Sequence, residues 1–303
     1  MILPQDLSIS LILESLRTPF FNSFFTIISF LGHPLFWMFI FILFYWEGKR
    51  KYSFYLANLI LFSSVLTYLL KLFFRQLRPF AYDISVVSLF GLVSTTANQS
   101  IYGFPSGHAT LATAAFLFLF NKINKTAKII ASIFIFLVAF SRIYLGYHFL
   151  SDVIAGLFFG YLIYLIFTKL KEFEKFLSQT IFFVLFFSFY LLVFLSAVIF
   201  LELHSVYYLY IAFFLSFFFG FFVSLSFHLP YKKPNCLCSI IFLSIVSLFI
   251  IFLSSFISIY KILFVALIGF LIALLPTIFF YLESRVLGQL FYSSENKPKK
   301  KRK

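Results

Sequence analysis

Three short segments of the chain place polar and charged side chains between long apolar runs. They are residues 71–78, 105–108 and 141–152, and together they supply four cations, two histidines and one carboxylate. Cationic side chains bind oxyanions, and a histidine that is held in place can act as a nucleophile. This combination therefore suits a site that binds an anion and attacks it.

The cations of these segments are predicted to hold the anion. Lys71, Arg75 and Arg78 are four and three residues apart, so on a helix they would share one face. Arg78 and Arg142 can each bind two phosphate oxygens at once, whereas Lys71 acts as a point charge. Arg75 has two interpretations: it contacts the phosphate, or it extends its guanidinium to lipid headgroups.

The second segment predicts a phosphate cradle at the start of a helix. Pro105 precedes Ser106, Gly107 and His108, and proline favours the first turn of a helix. Backbone N–H groups at such a start have no partner within the helix and bind anions well. Ser106 and Gly107 are therefore predicted to bind phosphate, with the Ser106 hydroxyl as an additional donor.

The two histidines and the carboxylate predict covalent catalysis. Asp152 lies four residues after His148, about one helical turn, so its carboxylate can orient the imidazole. A histidine held in one tautomer can form a covalent intermediate, which makes His148 the predicted nucleophile. His108 is then predicted to protonate the leaving oxygen and afterwards to activate water.

The order and spacing of these residues resemble the motifs of the type 2 phosphatidic acid phosphatase (PAP2) superfamily, membrane lipid phosphatase branch. The pattern is Lys-x6-Arg-Pro, then Pro-Ser-Gly-His, then Ser-Arg-x5-His-x3-Asp, over about residues 50–170. The resemblance implies a phosphoric monoester or diphosphate hydrolase without a metal or other cofactor. The roles it implies are catalytic for His148, His108 and Asp152, and phosphate-binding for Lys71, Arg78, Ser106, Gly107 and Arg142.

The composition assigns most of the chain to a lipid environment. Hydrophobic residues make up 62% of the sequence and charged residues 11%, whereas a soluble domain carries about 25% charged residues. Backbone polar groups in lipid must be satisfied internally, and the apolar runs show no period-two alternation, so helices are expected. The predicted fold class is all-α, a polytopic transmembrane helical bundle of about nine spans.

The apolar runs divide the chain into four predicted parts. Residues 1–30 form an amphipathic interfacial segment whose pattern Pro19 breaks, and residues 31–170 form the PAP2-like catalytic core. Residues 171–285 hold additional transmembrane helices, and residues 286–303 form a basic cytoplasmic tail. The predicted spans are about 31–46, 53–72, 106–121, 128–144, 152–169, 179–201, 206–228, 238–258 and 261–282.

Basic residues predict which side of the membrane the site faces. Lysine and arginine collect in every second loop and in the C-terminal tail. Such loops face the cytoplasm, so the N-terminus and the three polar segments are expected outside. The net charge of +14 arises largely from these loops, and no nucleic-acid partner is expected. His33, His204 and His228 lie outside the motifs and are interpreted as packed or interfacial polar residues.

The leading functional hypothesis is an integral membrane phosphatase whose partners are a phosphorylated lipid and the bilayer. The motifs leave three alternatives open: a soluble sugar phosphate as substrate, as in glucose-6-phosphatases, a lipid phosphotransferase, and a non-catalytic transporter or scaffold. The composition, rich in Phe, Ile and Lys, favours a bacterial inner membrane with the site facing the periplasm. The dilysine-like end at residues 300–303 favours the endoplasmic reticulum as the alternative. The sequence assigns no oligomeric state.

Overall fold

The computed structural model describes residues 4–82, 101–120 and 123–173, together with the single residue 270. Within these ranges the chain forms seven α-helices, one short 3-10 helix and one isolated β-bridge, which confirms the all-helical class there. The helices are α1 (Pro4–Ser15), α2 (Pro19–Phe30), α3 (Pro34–Trp46), α4 (Arg50–Phe74), the 3-10 helix (Pro79–Ala81), α5 (Gly107–Phe120), α6 (Lys125–Tyr144) and α7 (Leu150–Phe173).

Local sequence explains where several helices begin and end. Thr18, His33 and Asn124 each precede a helix, and the side chain of each accepts a hydrogen bond from a backbone N–H of the first turn. Proline follows Thr18 and His33 at the first helical position, where its missing N–H costs nothing. Gly48 and Gly146 adopt positive φ in the turns after α3 and α6, a conformation that glycine allows without strain.

Three of the helices are long and apolar enough to cross a membrane. They are Tyr52–Phe74 of α4, Lys125–Tyr144 and Leu150–Leu170 of α7. The pair α2 and α3 meets the same criteria only when taken together, with a bend of 45° between the two helices. The described ranges therefore hold three or four candidate spans, the pattern of an integral membrane protein.

The helices differ from the predicted spans in three places. The predicted segment 1–30 holds two helices, because Pro19 starts α2. The predicted first span, 31–46, is only the second half of a bent pair, because Pro34 starts α3. The predicted third span, 106–121, is a helix of 14 residues, about 21 Å long, and so shorter than a bilayer core of about 30 Å. The last four predicted spans lie outside the described residues, and the interfacial location of the N-terminal segment stays a prediction.

The packing brings four helix ends together. Helix α5 contacts α4, α6 and α7, while α3 packs on α4 and α2 packs on α6. Short connections join α5, α6 and α7, so that these neighbours run antiparallel. The end of α4, the start of α5, the end of α6 and the start of α7 consequently lie at one end of the bundle. Buried apolar side chains fill the interior, among them Trp37, Leu59, Phe116 and Phe167.

Two glycines of α7 let it approach α5 closely. A Cβ on Gly156 would lie 2.7 Å from the backbone oxygen of Ser106, and a Cβ on Gly160 would lie 2.5 Å from the backbone oxygen of Thr110. Small residues four apart allow such close helix contacts in lipid. The start of α5, which carries Ser106, is thereby held against the first two turns of α7.

Candidate active site

The segment after α4 turns Arg78 towards the meeting point of the helix ends. Helix α4 ends at Phe74, and Arg75 closes it in the left-handed conformation with φ of 50°. The chain then becomes extended, and Leu77 pairs with Tyr102 in an antiparallel bridge. Arg78 follows this bridge, and its side chain is buried.

The expectation that Lys71, Arg75 and Arg78 share one helical face is wrong. The helix stops before Arg78, so the spacing of the three residues no longer sets their directions. Lys71 and Arg78 are both buried, but Arg75 is exposed. The Arg75 Nε donates a hydrogen bond of 3.2 Å to the backbone oxygen of Leu72, at the end of its own helix. Arg75 is therefore not part of the buried cluster.

Lys71 fixes the chain where it returns at Tyr102 and Gly103. Its Nζ donates to the backbone oxygen of Tyr102 at 3.0 Å and to that of Gly103 at 2.8 Å. Gly103 has no space for a side chain, because a Cβ there would lie 2.6 Å from Oδ2 of Asp152 and 3.4 Å from Cγ of Arg78. The glycine thus lets the backbone pass beside these two side chains.

His148 and Asp152 face each other at the turn into α7. The His148 Nδ1 lies 3.3 Å from Oδ2 of Asp152, and both side chains are buried. The carboxylate also accepts hydrogen bonds of 3.0 Å from the backbone N–H of Phe149 and from the side-chain amide of Gln76. Phe149 precedes the helix and Asp152 is its third residue, so the carboxylate caps α7 as in a capping box. Asp152 is thereby fixed from three directions.

The second nitrogen of His148 faces the cations. Nη1 of Arg78 lies 3.5 Å from Nε2 of His148 and donates to the backbone oxygen of Tyr147 at 3.2 Å. Because a guanidinium can only donate, Nε2 carries a lone pair and the ring proton lies on Nδ1, towards Asp152. Burial lowers the pKa of His148 from its usual 6.5, and the charges of Arg78 and Lys71 lower this pKa further. The ring is therefore neutral at pH 7, with a free lone pair on Nε2.

The start of α5 presents a buried hydroxyl group beside this pair. The Ser106 N–H donates to the backbone oxygen of Asp152 at 2.9 Å, which ties the start of α5 to the first turn of α7. The Ser106 Oγ is buried and has no hydrogen-bond partner among the described residues. An unpartnered buried polar group is costly, so this hydroxyl and the adjoining helix start at Gly107 suit a bound anion.

Arg142 brings a third cation from the end of α6. Its Cζ lies 4.3 Å from the ring centroid of Tyr147, and its Nη1 donates to the hydroxyl of Ser29 at 2.5 Å. Its Nε is buried and, in the part of the chain that the structure describes, unpartnered. The guanidinium is thus held by α2 and by the α6–α7 turn while one donor stays open.

His108 stands in the first turn of α5 and completes the cluster. Its side chain is half-buried, and its ring meets the ring of His33 edge to face at a centroid distance of 5.5 Å. His33 was not expected near the site, since it lies outside the motifs. The eight residues predicted for the site lie together at one end of the bundle: Lys71, Arg78, Ser106, Gly107, His108, Arg142, His148 and Asp152.

Sequence reasoning missed several partners of these residues. Gln76 lies within the first polar segment, so its position near Lys71 was an available signal. Ser29 and His33 gave no signal, because single polar residues are common in apolar helices and at helix starts. Tyr147 precedes the predicted nucleophile, but only the structure reveals that its ring lies against Arg142.

The model of the PAP2 superfamily matches residues 52–176. Residues 52–176 belong to the PAP2 superfamily. This PAP2 segment includes every motif position from Lys71 to Asp152, but it does not include α1, α2 or α3. Ser29 and His33, which contact two of the motif residues, therefore come from outside the matched segment.

Two curated relatives match part of the chain. Phosphatidylglycerophosphatase B of Bacillus subtilis is 33% identical over 92 residues, which cover 26% of this chain and 45% of that protein. A lipid A 1-phosphatase of Rhizobium etli is 34% identical over 109 residues, which cover 35% of this chain and 44% of that protein. The chain thus spans less than half the length of these relatives.

A solved structure of a transmembrane PAP2 type phosphatidylglycerolphosphate phosphatase from Bacillus subtilis was also found to be similar. Its identity to this chain is 26% and its TM-score is 0.45. The alignment covers 57% of this chain and 86% of that chain.

Proposed function

We propose that this chain is an integral membrane phosphatase that hydrolyses a lipid phosphate or lipid pyrophosphate at the non-cytoplasmic face. The observation that carries the proposal is the position of His148, between the orienting carboxylate of Asp152 and the guanidinium of Arg78. The names of the two relatives, a phosphatidylglycerophosphatase and a lipid A 1-phosphatase, support a phosphorylated lipid as substrate.

In the first step, Nε2 of His148 attacks the phosphorus atom. A P–N bond forms, the P–O bond to the lipid oxygen breaks, and His108 gives its proton to that oxygen. The imidazole becomes positively charged as it is phosphorylated, and the carboxylate of Asp152 stabilises this charge through Nδ1–H. The lipid leaves as an alcohol, or as a monophosphate when the substrate is a pyrophosphate.

In the second step, water attacks the phosphohistidine. His108, now neutral, removes a proton from the water, and the P–N bond breaks. Inorganic phosphate leaves with the oxygen of that water, and His148 returns to its neutral form. The cycle consumes one water molecule and leaves both histidines in their starting protonation states.

Three cations and one hydroxyl group hold the phosphate through both steps. Lys71, Arg78 and Arg142 supply the positive charge that a metal ion supplies in metal-dependent phosphatases. Ser106 Oγ and the first N–H groups of α5 add uncharged donors. The proposed reaction is therefore metal-independent, and we expect it to proceed in the presence of a chelator.

The test is phosphate release by the purified full-length protein in detergent with EDTA. The panel holds phosphatidylglycerol phosphate, lipid A phosphate, phosphatidic acid, undecaprenyl diphosphate and glucose 6-phosphate, with His148→Ala as the inactive control. We expect release from at least one lipid substrate, and acid-labile but base-stable labelling of the protein by a 32P-labelled substrate.

Other outcomes separate the alternatives. Release from glucose 6-phosphate alone would indicate a sugar phosphatase, and release only with an added lipid acceptor would indicate a phosphotransferase. A folded wild-type sample that releases no phosphate from the whole panel, or release that survives in His148→Ala, would contradict the proposed mechanism.

A further inference from the structure

The bend between α2 and α3 packs directly on the backbone of His108. A Cβ on Gly32 would lie 3.0 Å from the Cβ and 3.0 Å from the backbone oxygen of His108, and 2.7 Å from Cγ1 of Val138. Because glycine has no side chain, the backbone at residue 32 can pack this closely on His108. The bend is therefore part of the wall of the site, although it lies outside the PAP2 segment.

His33 follows this glycine and places its ring against that of His108. The two ring planes meet at 62° with their centroids 5.5 Å apart. On its other side, the His33 ring stacks on Phe30 at 13° with a centroid distance of 6.0 Å. The ring of His33 is thus held between an aromatic side chain and the predicted general acid.

The backbone fixes the orientation of His33 as well. Its Nδ1 accepts a hydrogen bond of 3.2 Å from the N–H of Leu35, so the side chain is the N-cap of α3. In its neutral form the remaining ring proton lies on Nε2. Stacking and capping together leave this ring little freedom to rotate.

Among the described residues, the imidazole of His108 makes no hydrogen bond comparable to those that fix His33. Its ring contacts the ring of His33. Its orientation therefore depends on packing. By contrast, the other histidine of the pair, His148, is oriented by the carboxylate of Asp152.

We propose that His33 is a positioning residue whose ring holds the imidazole of His108 in the orientation that delivers a proton to the leaving oxygen. The inference rests on the proposed function, because His33 acts through the proposed general acid. It does not rest on the family motifs, since His33 precedes residues 52–176. A second contact links the same bend to the site, because Ser29 accepts a hydrogen bond from Arg142.

A general acid that is held in the wrong orientation slows a reaction according to how much the leaving oxygen needs the proton. An alkoxide leaving group needs it strongly, whereas a nitrophenolate leaves almost unaided. The ratio of kcat/KM for an alkyl phosphate to kcat/KM for a nitrophenyl phosphate therefore reports on His108 alone. Because kcat/KM covers only the steps up to loss of the leaving group, the later hydrolysis of the phosphohistidine does not affect it.

Two substitutions of His33 separate ring packing from helix capping. His33→Asn keeps a side-chain acceptor for the N–H of Leu35 but loses the ring. His33→Phe keeps a ring beside His108 but loses the acceptor. The full-length protein carrying each substitution is compared with the wild type and with His108→Gln, using a short-chain alkyl phosphate and a nitrophenyl phosphate. Thermal unfolding of each variant is measured in parallel.

We expect His33→Asn to lower kcat/KM for the alkyl phosphate about 10- to 100-fold, part of what a general acid contributes, and to change it less than about 3-fold for the nitrophenyl phosphate. His33→Phe should keep the wild-type ratio of the two values and lower the unfolding temperature. His108→Gln should change the ratio in the same direction as His33→Asn, but further.

The outcomes distinguish this inference from the proposed function. Equal losses on both substrates in His33→Asn, or a wild-type ratio in that variant, would overturn the positioning role while leaving the phosphatase intact. If the ratio of the two kcat/KM values falls in His33→Phe but keeps its wild-type value in His33→Asn, His33 acts through capping alone. A wild type that hydrolyses neither ester would overturn the proposed function, and the inference with it.

Discussion

At the scale of single residues, the site depends on how each nitrogen of His148 is occupied. Nδ1 faces a carboxylate that two further hydrogen bonds hold in place, and Nε2 faces a guanidinium. Exchange of the two partners would turn the lone pair away from the cations. In the proposed mechanism the tautomer, rather than the presence of a histidine, therefore decides whether the ring can attack a bound phosphate.

The two arginines near the end of α4 are predicted to differ in importance. Arg78→Ala should lower kcat about 100- to 1,000-fold, the usual effect of removing one donor to the reacting oxyanion. Arg75→Ala should lower kcat less than about 3-fold, because this side chain is exposed and bonds its own helix. The measurement is steady-state phosphate release with the best lipid substrate, and equal losses in the two variants would contradict the ranking.

The acidic side of the pH profile is predicted to report on His148. Nucleophilic attack needs the neutral ring, and the pKa of His148 is lowered from 6.5 by burial and then by Arg78 and Lys71. Activity is therefore expected to be retained down to pH 6.5 and to fall only as the pH drops through this lowered pKa. The measurement is kcat/KM against pH for phenyl phosphate and nitrophenyl phosphate, whose own ionisations differ. A shared fall centred above pH 6.5 would contradict the assignment.

The sequence could predict which residues come together in the candidate site, but not most of the contacts that hold them there. The four-residue spacing of His148 and Asp152 does bring the two side chains together, because both lie at the start of a helix that the Asp152 carboxylate caps. The prediction that Lys71 and Arg78 share one helical face was wrong, because no signal in the sequence marks the end of α4 at Phe74. Contacts over long separations, such as Ser29 with Arg142, depend on how helices pack and leave no local pattern.

At the scale of helices, the site depends on the distance between α5 and α7. Gly156 and Gly160 allow the two helices to approach until a Cβ would meet the backbone oxygens of Ser106 and Thr110. Backbone atoms cannot rotate away as a side chain can, so the helices themselves must move apart to accept a larger residue. The sequence contained these glycines, but only the packing reveals which helix they face.

Substitution of the two glycines is predicted to have graded effects. Gly156→Ala and Gly160→Ala should each destabilise the protein by about 1–3 kcal/mol through overpacking. Gly156→Ala should lower kcat more than Gly160→Ala, because its Cβ would displace Ser106 itself. Phe158→Ala is the control on the same helix, since this side chain is 57% exposed. Thermal unfolding and phosphate release check both claims, and a larger loss of kcat in Gly160→Ala would contradict the order.

Helix α1 is predicted to support the start of α7. The Asp6 carboxylate is buried and accepts hydrogen bonds from the backbone N–H of Ser151 at 3.2 Å and from its hydroxyl at 2.7 Å. Asp6→Ala should cost about 1–3 kcal/mol, because it leaves two half-buried donors of Ser151, the backbone N–H and the hydroxyl, without this acceptor. It should also lower kcat, because Ser151 adjoins Asp152. Ser8→Ala, at an exposed position of the same helix, is the control, and equal unfolding temperatures for the two variants would contradict the role.

At the scale of the whole molecule, the polar site lies at the opposite end of the helices from Lys49, Lys125 and Lys128. The site gathers around the start of α5 and the end of α4, whereas these lysines precede α4 or follow the end of α5. Basic loops are retained on the cytoplasmic side, which would leave the site open to the other side. A substrate made or delivered at the outer leaflet could then reach it without crossing the bilayer.

The orientation can be tested with two matched residues. Ile101 and Ile123 are each 52% exposed and lie beyond opposite ends of α5. With Cys236 and Cys238 replaced by serine, Ile101→Cys should react with a membrane-impermeant thiol reagent in intact bacterial cells. Ile123→Cys should react only after the membrane is opened. Labelling of Ile123→Cys alone in intact cells would reverse the orientation.

The bridge between Leu77 and Tyr102 has a consequence for how such proteins diversify. The chain leaves the site after Arg78 and returns to it at Gly103, and the bridge together with the Lys71 hydrogen bonds joins the two arms. Lengthening a segment whose ends are already fastened costs little free energy, about 0.6 kcal/mol for each doubling. A change in the number of residues between the two arms should therefore leave Arg78 and Gly103 in place. Natural selection, or an engineer who builds chimeras, can therefore vary the length of the chain between the two arms while the candidate site residues keep their positions.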